Sequence, residues 1–379
     1  MNALLPTYIP FPFELSHGSG ETIYSTDGTQ YTDFYGGHCV VSTGHSHPHV
    51  VAAIAKQAGS LIFYSAAGFL KIRERAANDL VQFANWPEAQ VFFCNSGAEA
   101  NENALKLAHK ISGKGILASC DGGWHGRSLA CLAVTDDIKI TEPYRSWLPS
   151  NRRLKFNDLA DLAAADLSDV AAVIIEPIQS LNGIRVADFA YLKALRAKTT
   201  ESGTLLIFDE IQTGVGRLGT PFAANFFDVQ PDIITSAKGL ASGVPIGALI
   251  ISADCASAIK PGDLGSTFGG GPIACAALCA TLEVITQEKL MQNAALIEQT
   301  LRTGLQGSGV AVLGHGALLG LQHERAADLR AFLLQNHILS GASAKPDVLR
   351  LMPPLMCSQA AIAKLLNCIW TFIRLEPPC

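Results

Sequence analysis

Short apolar runs alternate with longer stretches of helical character through the middle of the chain, and this alternation limits the fold more than any other feature. Runs of three to six residues rich in Val, Ile, Leu and Phe are typical of buried strands. Strands that alternate with helices predict βαβ units and a mainly parallel sheet in an α/β protein. The predicted strands are 90–94, 115–119, 170–175, 205–208, 233–235 and 248–252.

Polar side chains follow the ends of several of these strands. Asn95, Glu176, Asp209 and Lys238 each come at or just after the end of an apolar run. In open α/β sheets, ligands bind at the carboxyl edge of the strands. The sequence therefore predicts that these four side chains face one site.

The length of 379 residues suggests about two domains, and a hydrophobic content of 49% suffices for a large core. The sequence character changes near residue 272, where a long Ala/Leu-rich helix is predicted over 272–284. We expect an N-terminal segment over 1–45, a large domain over 46–275 and a smaller C-terminal domain over 276–379.

The formal net charge of −5 argues against non-specific binding of nucleic acid. No apolar run reaches the roughly 18 residues that span a membrane, and no signal peptide is evident. Ten scattered cysteines without a CxxC pair are typical of reduced, buried thiols, so no metal site is predicted. We therefore expect a cytoplasmic protein.

Asp209 and Lys238 suggest a specific cofactor. Pyridoxal 5′-phosphate needs a lysine that forms a Schiff base with its aldehyde and an acid that holds its pyridine nitrogen protonated. Taken singly, Asp209 is better explained as a helix cap or a surface acid, and Lys238 as a solvated residue.

Three glycine-containing segments could complete such a site. Residues 95–102 open a helix after a strand, and their free N–H groups suit a phosphate, although a simple Ser96 cap fits as well. Residues 122–128 place Trp124 and Arg127 close together. Trp124 could lie against a cofactor ring and Arg127 could bind a carboxylate, although a turn with a packed Trp124 and a solvated Arg127 is the alternative. Residues 265–272 form a loop whose hydroxyls could donate hydrogen bonds to a phosphate. On its own, such a glycine-rich loop is better explained as a linker or a turn.

The ordered set of motifs resembles the class III aminotransferases, in the acetylornithine/ornithine branch. The resemblance runs from about Tyr24 to Leu355 and includes the sequences GHSHP at 44–48, WHGR at 124–127, EPIQ at 176–179, FDEIQTG at 208–214, SAK at 236–238 and GST at 265–267. It implies the fold-type I architecture, with a seven-stranded, mainly parallel sheet in the large domain and a smaller α/β domain built from the N- and C-terminal segments.

The resemblance also implies roles for individual residues. Lys238 and Asp209 would be catalytic, and Arg127, Arg350 and His38 would face the substrates. Thr267 would reach the phosphate of a neighbouring subunit, which implies a homodimer. The implied cofactor-binding residues are Ser96, Gly97, Ala98, Trp124, Glu176, Asp209, Gln212, Lys238 and Thr267.

Three departures from the family pattern bear on the substrate. Leu181 stands where the family glutamate masks the arginine that corresponds to Arg350. His38 and Cys39 replace aliphatic residues, and His38 could contact a substrate or serve as a structural histidine. Gly271 stands where the family often has Asn.

The resemblance implies an ω-aminotransferase that moves an amino group from an N-acylornithine, or a related diamino acid, to 2-oxoglutarate. A 4-aminobutyrate-type or other ω-amine aminotransferase, or a racemase or aminomutase with the same cofactor, is the alternative. A more distant alternative is a non-catalytic binding protein of the same fold.

Overall fold

The computed structural model describes residues 3–375. Its sixteen strands are β1 Leu15–Ser19, β2 Thr22–Ser25, β3 Gln30–Asp33, β4 Gln90–Cys94, β5 Ile116–Cys120, β6 Asn151–Leu154, β7 Val170–Ile175, β8 Ile178–Gln179, β9 Arg185–Val186, β10 Leu205–Asp209, β11 Ile233–Ser236, β12 Gly247–Ile251, β13 Ala311–His315, β14 Leu318–Gln322, β15 Ile338–Leu339 and β16 Val348–Leu351.

The α-helices are Pro48–Ala58, Lys71–Phe83, Gly97–Ser112, Leu129–Val134, Ile138–Thr141, Leu159–Ala164, Phe189–Ser202, Ala223–Phe227, Ala253–Ser257, Pro272–Gln287, Leu290–Gly304, Ala326–Gln335 and Gln359–Arg374. Two 3₁₀ turns cover Glu142–Trp147 and Lys238–Ala241. A separate short turn at Gly36–Cys39 has left-handed backbone angles.

The central sheet has seven strands in the order β4-β12-β11-β10-β7-β5-β6. Only β12 pairs antiparallel with its neighbours β11 and β4, so six strands share one direction. The prediction of a seven-stranded, mainly parallel sheet is confirmed. The carboxyl ends of β4, β7, β10 and β11 consequently meet at one edge.

The predicted strands correspond closely to the observed ones because their composition requires burial on both faces. All six residues of β7 are fully buried, as are the five of β10. The other boundaries differ by a residue, as at β12, which begins at Gly247 and ends at Ile251. Such differences are ordinary, since strand ends depend on pairing partners that lie far away in the chain.

The helix after β4 begins at Gly97, within the segment 95–102 that was predicted to open a helix. Ser96 accepts a hydrogen bond from the backbone N–H of Glu99 at 3.1 Å and so caps the helix. Gly113 ends it in the left-handed conformation, with φ of 68°. The helix Gly97–Ser112 therefore points its N-terminus at the carboxyl edge of the sheet.

The two ends of the chain meet in a smaller mixed sheet. Its order is β1-β2-β3-β15, and β15 pairs in parallel with β3. A further, three-stranded sheet has the order β13-β14-β16, and its strands come from residues 311–351. The domain boundaries at residues 45 and 275 stay predictions. Met1, Asn2 and residues 376–379, which belong to the predicted end segments, lie outside the described residues.

Between residues 3 and 375, no helix combines the length and the apolar character that a membrane crossing requires. The nine cysteines in that range are buried and have free thiols. The tenth, Cys379, lies beyond the described residues.

Candidate active site

Asp209 ends β10 and lies at the centre of a buried hydrogen-bond network. Its Oδ2 accepts from His125 Nδ1 at 2.8 Å and from Asn101 Nδ2 at 2.7 Å. Thr235, on the neighbouring strand β11, donates to Asn101 Oδ1 at 2.6 Å. Two donors on one oxygen fix the orientation of the carboxylate.

Lys238 follows β11 and is held in an unusual conformation. Its φ of 47° is left-handed, which costs energy for a residue with a side chain and is typical of functional sites. No hydrogen bond or ion pair to its Nζ occurs within residues 3–375. Burial lowers the pKa of the Lys238 amine, and the nearby charge of Arg350 lowers it further, against the opposing influence of Cys39, Asp209 and Glu176.

Glu176 follows β7 and completes the row of polar strand ends. It is buried, and its Oε1 accepts the backbone N–H of Trp124 at 2.7 Å. Burial raises the pKa of the Glu176 carboxyl to about 7, with Asp209 adding to the rise and His125 and Lys238 opposing it. The predicted gathering of strand-end side chains is therefore present for Glu176, Asp209 and Lys238.

The first N–H groups of the helix Gly97–Ser112 lie beside this row. The N–H groups of Gly97 and Ala98 donate to no described residue, as expected at a helix start. A Cβ at position 97 would lie 2.5 Å from Ile211 Cδ1, and the Ile211 N–H donates to Asp209 Oδ1 at 3.2 Å. The glycine therefore allows close approach between the helix start and the Asp209 loop.

Trp124 and Arg127 lie on the loop after β5. The guanidinium of Arg127 lies 5.4 Å from the centre of the Trp124 ring, within the range of a cation–π contact. Arg127 is exposed, whereas Trp124 is half-buried and anchored through its backbone to Glu176. This anchoring brings the predicted aromatic residue close to the strand-end row.

Arg350, on β16, is buried and has only neutral hydrogen-bond partners among the described residues. Its Nε donates to Ala342 O at 2.6 Å, and NH1 donates to Ser180 Oγ at 3.0 Å. Burial lowers the pKa of the Arg350 guanidinium, whereas Tyr35, Cys39 and Glu176 raise it. No carboxylate in the described chain forms an ion pair with Arg350.

His38 lies on the left-handed turn Gly36–Cys39, where His38 and Cys39 have φ of 70° and 66°. Its ring nitrogen Nε2 lies 2.8 Å from the hydroxyl of Tyr35, and the side chain is exposed. Although part of the side chain is exposed, partial desolvation of the imidazole lowers the pKa of His38, and Lys238 and Arg350 lower it further. The left-handed turn thus places the His38 imidazole close to the side chains of Lys238 and Arg350.

The remaining predicted residues differ in their surroundings. Gln212 is buried, its backbone O lies 3.7 Å from Cys39 Sγ, and its side-chain amide bonds to no described residue. Thr267 is exposed, while its neighbour Ser266 donates to Glu99 Oε1 at 2.6 Å. The loop 265–271 therefore reaches the helix start within a single chain, and Thr267 is an exposed residue of that loop.

Sequence reasoning missed three residues that hold the site together. His125 lies inside the WHGR motif and Asn101 lies four residues after Gly97, yet neither was assigned a role. For Asn101 a signal was available, because it is a polar residue near the start of a helix and that helix start faces an acidic strand end. Ser180, the partner of Arg350, gave no signal, because it lies 170 residues away in the sequence.

Comparisons with known proteins agree with this geometry. The family model described as "Aminotransferase class-III" matches residues 6–373. The acetylornithine aminotransferase of Methanothermobacter thermautotrophicus is 38% identical over 95% of this chain and 93% of its own length. That of Streptomyces coelicolor is 40% identical over 90% and 86%, respectively.

A solved structure shows the same fold. The ornithine aminotransferase of Toxoplasma gondii, with PLP at partial occupancy in its active site, superposes with a TM-score of 0.89 at 30% identity. The match covers 98% of this chain and 92% of that one. The chain therefore belongs to the class III aminotransferase family and is a pyridoxal-phosphate-dependent transferase, as the order of its motifs predicted.

Proposed function

We propose that the chain is an ω-aminotransferase that moves an amino group from an N-acylornithine, or a related diamino acid, to 2-oxoglutarate. The observation that carries the proposal is the pairing of Asp209 and Lys238 at the ends of adjacent strands, with Asp209 held by two donors and Lys238 left without a partner in the described chain. The family assignment and the acetylornithine aminotransferases among the relatives support the substrate class.

The residues present fit pyridoxal phosphate in three respects. The Lys238 amine is free to form a covalent bond, and the Asp209 carboxylate is fixed by donors on one oxygen. The N–H groups of Gly97 and Ala98 have no acceptor in the described chain, which suits a phosphate at a helix start. Trp124 supplies an aromatic face beside Glu176, and Gln212 supplies a buried amide without a side-chain partner.

When bound, pyridoxal phosphate supplies an aldehyde carbon for an amine and a ring that withdraws electrons from the carbon next to it. Lys238 Nζ would hold the cofactor and then accept and return the proton of the substrate carbon. Both tasks need the neutral amine, and burial favours that form by lowering the pKa of Lys238. The strained backbone at Lys238 fixes the path of this side chain.

Asp209 would pair with the pyridine nitrogen and keep it protonated. His125 and Asn101 donate to one of its oxygens in a buried site and would hold the carboxylate in the orientation that this pairing needs. Ser96, Gly97 and Ala98 would lie at the phosphate, and Glu176 would lie at the edge of the ring beside Trp124. We propose these contacts from the positions of the residues around Asp209 and Lys238.

Three residues are proposed to face the substrates. Arg350 would bind the carboxylate of the oxo acid through the N–H groups that Ala342 and Ser180 leave free. Arg127 would hold a distal carboxylate from its exposed position over Trp124. His38 would contact the donor through its imidazole, which lies beside the hydroxyl of Tyr35.

We also propose a homodimer, in which Thr267 from one subunit approaches the phosphate of the other. The exposed position of Thr267 supports this arrangement, since within its own chain it has no hydrogen bond in the described range. A cytoplasmic location stays a prediction from the cysteine pattern.

The substrate proposal is tested by assaying the purified enzyme with N-acetylornithine, N-succinylornithine and ornithine as donors and 2-oxoglutarate as acceptor. We expect glutamate to form with at least one acylated donor. Turnover of 4-aminobutyrate alone would favour the ω-amine alternative, and substrate conversion without use of an oxo acid would favour an isomerase.

The cofactor assignment has a separate test. The purified protein should be yellow, and Lys238→Ala should lose the absorbance band of the covalently held cofactor. Asp209→Ala should keep the fold and lose turnover, because its proposed role is electronic. A yellow protein that converts no donor would favour a binding protein of this fold.

A further inference from the structure

The surroundings of Arg350 contain a serine that the proposed function leaves unexplained. Ser180 is fully buried at the tip of the β8–β9 hairpin, in which Gln179 pairs with Arg185. Its Oγ accepts a hydrogen bond from Arg350 NH1 at 3.0 Å. Because a guanidinium carries only donors, the Ser180 proton must point elsewhere, and Met352 Sδ lies 3.9 Å from the same oxygen. The direction of both hydrogen bonds is therefore determined.

Arg350 is otherwise held by the backbone. The backbone N–H of Arg350 donates to Gly341 O at 2.8 Å, and the side-chain Nε donates to Ala342 O at 2.6 Å. The same segment is attached to the hairpin tip, since Ala344 N donates to Leu181 O at 2.8 Å. The β8–β9 tip and residues 341–344 thus form one frame around the guanidinium.

The frame leaves the charge of Arg350 without a counter-ion. A guanidinium has five N–H donors, and only two of them reach acceptors among the described residues. Glu176 is the nearby carboxyl that influences Arg350, and it instead accepts the N–H of Trp124. A buried cation with neutral partners attracts an external carboxylate strongly, because burial weakens its solvation without neutralising it.

We propose that Ser180 is a positioning and specificity-determining residue. It orients Arg350 through an uncharged hydroxyl, so that the free side of the guanidinium stays available to the carboxylate on the reacting carbon of the oxo acid. The proposal rests on the proposed function for the place of Arg350 at the substrate, and it extends that function to a residue on a different element. An acidic side chain in place of Ser180 would neutralise Arg350 internally and abolish this availability.

The direct test is calorimetric titration of the holoenzyme with glutarate, a dicarboxylate that cannot react. Loss of a hydrogen bond to a charged group should weaken glutarate binding about tenfold in Ser180→Ala. Ser180→Asp should weaken it at least as far, since its carboxylate would occupy the guanidinium. Ser343→Ala is the matched control, because the Ser343 hydroxyl donates to Leu181 O at 3.2 Å in the same frame without touching Arg350. It should change the affinity less than about twofold.

Kinetics separate positioning from a general structural effect. 2-Oxoglutarate and succinic semialdehyde differ by the carboxylate on the reacting carbon. In Ser180→Ala, kcat/KM for 2-oxoglutarate should fall about tenfold through KM, while kcat/KM for the aldehyde stays within about twofold. An equal loss for both acceptors would show a structural role and overturn the proposal.

Failure of the inference differs from failure of the proposed function. Equal glutarate affinity in the wild type and Ser180→Ala, or an equal loss in Ser343→Ala, overturns the role of Ser180 whatever the enzyme converts. Conversely, a wild type that converts none of the donors but binds glutarate in a Ser180-dependent way refutes the substrate proposal and supports the role of Ser180.

Discussion

His125 Nδ1 lies 2.8 Å from Asp209 Oδ2, and both side chains are almost completely buried. Since the ionised carboxylate can only accept, Nδ1 carries the proton of this bond. The other ring nitrogen, Nε2, is buried without a hydrogen-bond partner in the described chain. Asp209 is thus oriented by a histidine whose own position is fixed by packing and by a backbone hydrogen bond. The backbone N–H of His125 donates to the Thr135 hydroxyl at 3.0 Å.

His125→Phe should lower kcat because it keeps a ring of similar shape and removes the donor to Asp209. A hydrogen bond to a charged group contributes about 1.5–3 kcal/mol, so we expect a loss of at least about tenfold in kcat. Steady-state kinetics with both substrates saturating provides the measurement. An unchanged kcat would show that Asn101 alone suffices to hold Asp209.

Glu176→Gln should shift the pH dependence of cofactor uptake. The Glu176 carboxylate raises the pKa of Lys238 against the effect of burial, so its removal leaves the ammonium form less stable. The neutral amine then forms at lower pH, and the rise in uptake rate should move to lower pH. The rate of absorbance change on adding pyridoxal phosphate to the apoenzyme, followed across pH, measures this shift.

Glu283→Gln is the control for that titration. Glu283 pairs on the surface with His49 at 2.6 Å and is not among the groups that influence Lys238. Its profile should coincide with that of the wild type. A Glu176→Gln profile that moves to higher pH would contradict the assigned sign.

Gly97→Ala should weaken cofactor binding because the added Cβ would lie 2.5 Å from Ile211 Cδ1. Relief of this contact must displace either the helix start or the loop that carries Asp209. We expect an increase of about tenfold in the dissociation constant of the cofactor, measured by fluorescence titration of the apoenzyme. The double variant Gly97→Ala/Ile211→Ala restores space and should recover most of the affinity. No recovery would place the origin of the defect elsewhere.

Arg217→Met should destabilise the fold. Arg217 is 1% exposed, and its NH1 donates to Ala317 O at 3.2 Å and to Pro353 O, so it joins the loop after β10 to the segment that follows Arg350. Its removal leaves two buried carbonyls without a donor, which should lower the free energy of unfolding by about 3 kcal/mol. Urea denaturation measures the change.

Arg75→Met is the matched comparison for Arg217. Its side chain is half exposed and pairs with Asp79 at 3.2 Å and with Glu283 on the surface. Exposed ion pairs contribute at most about 1 kcal/mol, so its effect should be much smaller than that of Arg217→Met. Equal effects would mean that the Arg217 contacts do not hold the two segments together.

Local patterns accounted for the sheet and the strand ends. The composition of β7 and β10 requires burial on both faces. Glu176 directly follows β7 and Asp209 ends β10, so both lie at the carboxyl edge of the sheet. The Gly97 helix start was predictable for the same reason, because a serine cap and a glycine act within one turn.

The sequence by itself determined the sheet, the family and the pair Asp209 and Lys238, because periodicity and short motifs act over a few residues. Only the tertiary structure decided that Asn101 and His125 share one oxygen of Asp209, and that Ser180 orients Arg350 from 170 positions away. Such partners depend on strand register, on the angle at which elements pack and on side-chain rotamers, which local patterns do not encode.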